Sequence, residues 1–345
     1  MKVEQKKSRS PVIREYAKDY LLISLVTFAV TVILIRAFLH LTGYPQIGGN
    51  ILHIAHALWG GLMLFIAVLL PMTLNNRWAI NISALLSGIG VGLFIDEVGK
   101  FITQSNDYFF APALSLIYGF FILNVLVYLY FRRPRQKDPR KAMYHALEGL
   151  QEAVDGDLDT EEAARIEAHL AVAKLSDRDE IVALADTVSN YLQQESQQVV
   201  LAKPNLWKRI VMRFDTLGLR FKRHNHRRII FALLITWVVI AIAYIAGIVL
   251  GGSDLDPKVL QWRWILIGIQ AIVGGLMITA VYYWLKGYEE RGLRFAIWGV
   301  LLSLVALQLL YFYISQLQAM TSTVYQFTFL MVLLSYRRWY LTIVD

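Results

Sequence analysis

Asp96 and Glu97 stand side by side, with Lys100 one turn later, inside a run (78–103) that is otherwise apolar and long enough to cross a bilayer. An ionised side chain at membrane depth costs about 2.5–3.5 kcal/mol on insertion scales. Three of them within five residues therefore need pairing, hydration or a function. Asp96 and Lys100 are spaced i, i+4 with the acid first, the favourable order for a helix ion pair. Glu97 then projects about 100° away around the helix and faces another partner. His53-Ile-Ala-His56 supplies two imidazoles on one helical face, at i, i+3. Two chemistries follow. Glu97 and the histidines can exchange protons or bind a cation. Alternatively, His53, His56 and Glu97 can hold zinc or iron, since imidazole and carboxylate suit both metals. Asp107, in the loop after this run, adds a carboxylate on the same side.

The elements that position these groups are written in the composition. The chain has 345 residues, 57% of them hydrophobic. Its apolar runs reach bilayer length, about 20 residues. Eight such runs fall at 20–41, 51–70, 78–103, 109–131, 229–250, 264–285, 295–317 and 323–335. The first is too long and too far along the chain to be a cleaved secretory signal. There is no cysteine, which excludes disulfides, thiolate metal sites and cysteine nucleophiles. The net charge of +8 comes from Lys and Arg flanking the apolar runs, so nucleic-acid binding is not implied.

Basic residues mark the cytoplasmic side. They crowd the amino terminus, the segment from Arg132 to Lys137, the 286–294 loop and Arg337-Arg338, and they are scarce in the intervening loops. The alternation places both termini and the long middle segment in the cytoplasm. His53 and His56 then open the second run near the same outer face at which Asp96, Glu97 and Lys100 close the third. Gly88, Gly90, Gly92 and Gly99 let another backbone approach the third run closely.

The two halves share a plan. His56-Ala-Leu-Trp-Gly-Gly-Leu-Met63 aligns with Gln270-Ala-Ile-Val-Gly-Gly-Leu-Met277, and Arg77-Trp-Ala-Ile80 with Arg294-Phe-Ala-Ile297. With four crossings each, the copies run parallel, as in transporters whose repeats share one orientation. The second copy keeps the glycines and lacks the charges. The expected fold is therefore all-α, with eight transmembrane helices in two four-helix repeats and a small cytoplasmic helical insert. Its parts are a basic tail (1–18), the first half with the polar site (19–131), the insert (132–204), a basic amphipathic interfacial segment (205–227) and the second half (228–345).

Within the insert, helical spacing covers 141–154, 161–175 and 179–192. Asp159-Thr-Glu-Glu162 reads as a helix start with a capping box. The acidic loop before it fails as a calcium site, because Thr160 and Ile166 stand where an EF-hand needs glycine and glutamate. In 205–223, Trp207, Ile210, Val211, Phe214 and Leu217 form one face and Lys208, Arg209 and Arg213 another. Such a segment lies on a bilayer and meets anionic lipid headgroups.

Gly92-Leu-Phe-Ile-Asp-Glu-Val-Gly-Lys-Phe-Ile-Thr103, followed by Asn106-Asp-Tyr-Phe-Phe110 and preceded by His53-x-x-His56-x-x-Trp59-Gly-Gly61, resembles a family of uncharacterised multi-pass bacterial membrane proteins. The resemblance covers the first four runs best. It implies a bacterial inner (plasma) membrane and brings no activity with it. The functional expectation is transport or ion/proton coupling at an outer-leaflet site of Glu97, Asp96, Lys100, His53, His56 and Asp107. Two alternatives stand beside it: a metal-dependent intramembrane hydrolase acting on lipid, and a non-catalytic scaffold or sensor whose insert meets a cytoplasmic protein.

Overall fold

The computed structural model describes residues 10–43, 55–104, 110–132, 138–155, 158–195, 223–251 and 256–341. Among them every regular element is helical. In chain order these are α1 (Ala17–Thr42), α2 (His56–Thr73), α3 (Arg77–Asp96), α4 (Val98–Ile102), α5 (Ala111–Arg132), α6 (Pro139–Asp155), α7 (Thr160–Ala173) and α8 (Asp179–Glu195). Then follow α9 (Arg223–Leu250), α10 (Pro257–Leu285), α11 (Glu289–Leu302), a π turn (Ser303–Leu307), α12 (Gln308–Ile314) and α13 (Gln316–Tyr340).

Seven of the described helices are long and apolar enough to cross a membrane: α1, α2, α3, α5, α9, α10 and the rod from α11 through α12. Only 6–44% of each apolar window is buried inside the protein. Ile33, Leu34, Phe65 and Met72 are 60–74% exposed. Apolar surface of that extent is stable only against another apolar medium. α13 has 25 residues but is not among the seven, for it carries Gln318, Thr321, Ser322, Thr323, Gln326 and Thr328.

The chain divides into two compact units, Met1–Leu93 with Val125–Asn205, and Phe94–Asn124 with Leu206–Asp345. In the first, small residues on α3 let two helices in. A Cβ at Gly88 would strike Thr27 and the Ser24 carbonyl of α1, and one at Gly92 would come within 2.8 Å of Thr31. At Gly90 it would lie 2.8 Å from the Gly60 carbonyl of α2. Hydroxyls fasten the same contacts. Ser24 and Ser87 meet at 3.0 Å, and Ser83 Oγ donates to the Ala67 carbonyl at 2.6 Å. The close backbone approach expected of Gly88, Gly90 and Gly92 is thus present.

The insert folds as the sequence pattern predicts, as three amphipathic helices around Met143, Ala146, Ile166, Leu170, Ala185 and Leu192. α7 begins on the expected capping box: Asp159 accepts from the backbone of Glu161 and Glu162, and Glu162 reaches back to the Asp159 N–H. These bonds satisfy backbone donors that a helix start leaves open.

The core of the second unit is built by α9, α10, α11 and α13 around Leu234, Leu266, Met277, Trp284, Phe329 and Leu333, each at most 2% exposed. Gly287 turns the chain between α10 and α11 at φ 82°, a conformation that a side chain strains. The π turn adds a residue to the α11–α12 rod without ending it.

Candidate functional site

α3 ends at Asp96, and α4 restarts at Val98. Between them Glu97 sits at φ −88°, ψ 8°, the sparsely populated bridge region where many active-site residues are found. The Lys100 amide donates to the Glu97 carbonyl at 2.9 Å, so the ladder tightens to i→i+3 at the break. Thr103 Oγ1 closes the short helix by donating to the Gly99 carbonyl at 2.8 Å. Asp96 is 0% exposed and Glu97 1%. Lys100 reaches Glu97: its Nζ donates to Glu97 Oε1 at 2.8 Å, with the lysine side chain 24% exposed. The i, i+4 pairing expected for Asp96 and Lys100 assumes an uninterrupted helix. The break at Glu97 changes the angle between successive side chains, and an i, i+3 pair of Glu97 with Lys100 forms there.

Chemically, this is a pair of adjacent carboxylates out of contact with bulk water, and an ammonium is bonded to Glu97. The charges of the run, Asp96, Glu97 and Lys100, sum to −1.

His56 opens α2 in the first unit, whereas Asp96, Glu97 and Lys100 belong to the second. His53 and Asp107 lie outside the described residues, as does 205–222 of the basic amphipathic segment. Among the described residues, no three His, Cys, Asp or Glu side chains are grouped to hold a metal ion. The proposed ligand set includes His53, so that grouping does not bear on it.

Two further polar arrangements were not foreseen. The first ties the insert to the membrane-proximal chain within the first unit. Arg77, the first residue of α3, donates from Nη1 to Glu162 Oε1 at 2.5 Å, and its guanidinium lies 3.7 Å over the Tyr16 ring. Arg165 flanks the same ring at 5.4 Å. Glu15 meets His169 Nε2 at 3.0 Å, and His145 Nε2 meets the Ile13 carbonyl at 2.9 Å. A cavity of about 20 Å³ lies among these groups, enough for one water. Burial pushes the Tyr16 hydroxyl up to about 12, against the pull of Arg77. For Glu15, burial would raise the carboxyl, but the hydrogen bond and charge of His169, with His145 and Arg165 beyond, hold it below its ordinary value. The available signal was Arg77 itself, a cation at the mouth of an apolar run. Its partners lie 61 and 85 positions away, beyond the reach of local patterning.

The second arrangement follows the π turn. Gln308, 0% exposed, bonds through its amide to α13 and to Gln326, 4% exposed. Tyr118 of α5 donates its hydroxyl to the Leu304 carbonyl at 2.8 Å, and Ser115 Oγ donates to the Leu309 carbonyl at 3.1 Å. A glutamine within an apolar run was visible in the sequence; its partners on the following helix were not.

Long outward-apolar helices, small-residue packing and buried polar groups together define the class: a multi-pass helical membrane protein. No protein-family model matches the chain, and no curated protein or solved structure is similar to it at a significant level.

Proposed function

We propose that the protein moves an ion, or a solute coupled to protons, across a bacterial inner membrane. In this reading Asp96 and Glu97 form the coupling site. One observation carries it: two adjacent carboxylates, 0% and 1% exposed, at the point where a membrane-length helix breaks. Ionisable groups inside membranes mark ion and proton pathways, and broken helices line transporter sites. Glu97 would release Lys100 to take up a proton or a cation, and Lys100 would reclaim it afterwards. His53, His56 and Asp107 would face the same aqueous side and relay the proton outward. α13 would serve as an eighth crossing, which keeps both termini and the insert in the cytoplasm, as the basic residues indicate. The two halves would be parallel repeats, with the charged chemistry confined to the first. The basic segment 205–223 would rest on anionic headgroups.

The insert supports an added role as a sensor for a cytoplasmic protein partner. Its bond to the start of α3, through Glu162 and Arg77, gives an insert-bound partner a direct mechanical route to a membrane helix.

Reconstitution into liposomes tests the central reading. The wild type should dissipate an imposed proton or alkali-cation gradient, and Glu97→Gln should lose that flux while retaining its helical content. Absence of flux in the wild type with every ion tried, or equal flux in Glu97→Gln, overturns it.

A further inference from the structure

The second half holds a buried polar cluster that carries no formal charge. Gln308 Nε2 lies 2.7 Å from Ser322 Oγ, 2.7 Å from Thr323 Oγ1 and against the Ala319 carbonyl. An amide nitrogen has two hydrogens, yet three oxygens converge on this one. Both hydroxyls also donate to the Ala319 carbonyl, at 3.0 and 2.8 Å, so that oxygen is offered more donors than its two lone pairs accept. Meanwhile Gln326 Nε2 donates to Gln308 Oε1 at 3.0 Å, and Gln326 Oε1 is buried with no hydrogen-bond partner among the described residues. Donors and acceptors are therefore mismatched at a fully buried point, where natural proteins rarely leave polar atoms unpaired.

The oxygens that converge are the kind that replace a hydration shell: a backbone carbonyl and two hydroxyls, with the Gln308 amide oxygen one side-chain turn away. Uncharged oxygens of this type, inside an apolar bundle, suit an alkali cation. A divalent ion would call for carboxylates. The π turn adjoins the cluster, and such turns are frequent at functional sites.

We propose that this cluster is a monovalent-cation site, occupied in the present conformation by the Gln308 amide nitrogen. The seat of the ion is the position of Nε2, surrounded by Ala319 O, Ser322 Oγ and Thr323 Oγ1. When the Gln308 amide withdraws and both glutamine amides turn over, Gln308 Oε1 becomes a fourth ligand and its nitrogen donates to Gln326 Oε1, giving that acceptor a partner. The inference stands on residues of the second half and does not depend on the carboxylate reading.

Thermal unfolding of the detergent-purified full chain, followed by tryptophan fluorescence, tests it. NaCl, KCl and N-methylglucamine chloride are compared at equal ionic strength. One alkali salt should raise the midpoint saturably, by about 2–5 °C. Thr323→Val, which removes one ligand oxygen at nearly constant volume, should weaken half-saturation at least about tenfold, the scale of one lost ligand contact. Glu97→Gln should keep the shift. If Thr323→Val does not fold, Gln308→Glu provides the second arm, since a carboxylate ligand should tighten binding by a similar factor. Equal midpoints in all three salts overturn the proposal. So does a shift that survives Thr323→Val but vanishes in Glu97→Gln, which would seat the ion at the carboxylates, and so does an unchanged affinity in Gln308→Glu.

Discussion

The carboxylates at the α3–α4 break and the glutamines beside the π turn are buried to the same depth but held in different ways. Asp96 and Glu97 stand at a break in their helix, and Glu97 holds an ammonium that is itself partly wet. Gln308 and Gln326 lie within continuous helical stretches and rely on neutral neighbours. Buried charge needs a mobile counter-charge, because desolvation outweighs most fixed pairings. Buried neutral groups need only a complete set of donors and acceptors. The first arrangement suits a site whose occupant changes. The third polar contact, Arg77 on Tyr16 and Glu162, is largely buried and serves to attach one piece of the protein to another.

The contrast predicts a ranking of substitutions. Lys100→Met should be the most damaging, at about 3 kcal/mol, because it takes the ammonium from a buried carboxylate. Adding Glu97→Gln to it should recover most of the loss. Both are read from the detergent-unfolding midpoint, and a single-variant loss below about 1 kcal/mol, the scale of exposed ion pairs, would place Glu97 in bulk-like solvent. Gln308→Leu should cost about 1–3 kcal/mol, the usual penalty for stranding buried amide partners. With ionic strength set by N-methylglucamine chloride, its penalty should not change between low and high salt, whereas that of Lys100→Met should. Identical salt responses would erase the distinction between the two sites.

Arg77→Ala should cost about 1 kcal/mol, one cation–π contact plus a partly exposed ion pair. Faster hydrogen exchange in α7 and in residues 10–16 would locate the loss at the junction. The smallest effect is that of pH. The Glu15 carboxyl is held below its ordinary value of 4.5 in the fold. Its contribution is therefore complete above that value and is lost as pH falls through the lowered one. Protection of residues 10–16 should decline on that acid limb in the wild type, and Glu15→Gln should flatten the decline.

Much of the scaffold could be read in the sequence, because apolar length and 3.6-residue spacing are local properties. The insert helices show this, with the 141–154 pattern realised as Pro139–Asp155 and the 179–192 pattern as Asp179–Glu195. The capping box at Asp159 was legible for the same reason. The i, i+3 pairing of Glu97 with Lys100 was not, because it depends on a break that two adjacent acids and Gly99 only permit. Gln308 was visible as a polar residue in an apolar run, yet its partners sit 11–18 positions on, across a helix corner. The Arg77 junction joins residues brought together only by tertiary folding.

Charge movement tests the central claim most directly. Proteoliposomes adsorbed on a solid-supported membrane, given rapid proton or alkali-cation jumps, should produce transient currents in the wild type. The currents should persist in Arg77→Ala and disappear in Asp96→Asn/Glu97→Gln. Currents of equal size in that double variant, or none in the wild type with any cation, would contradict a coupling role for the two carboxylates.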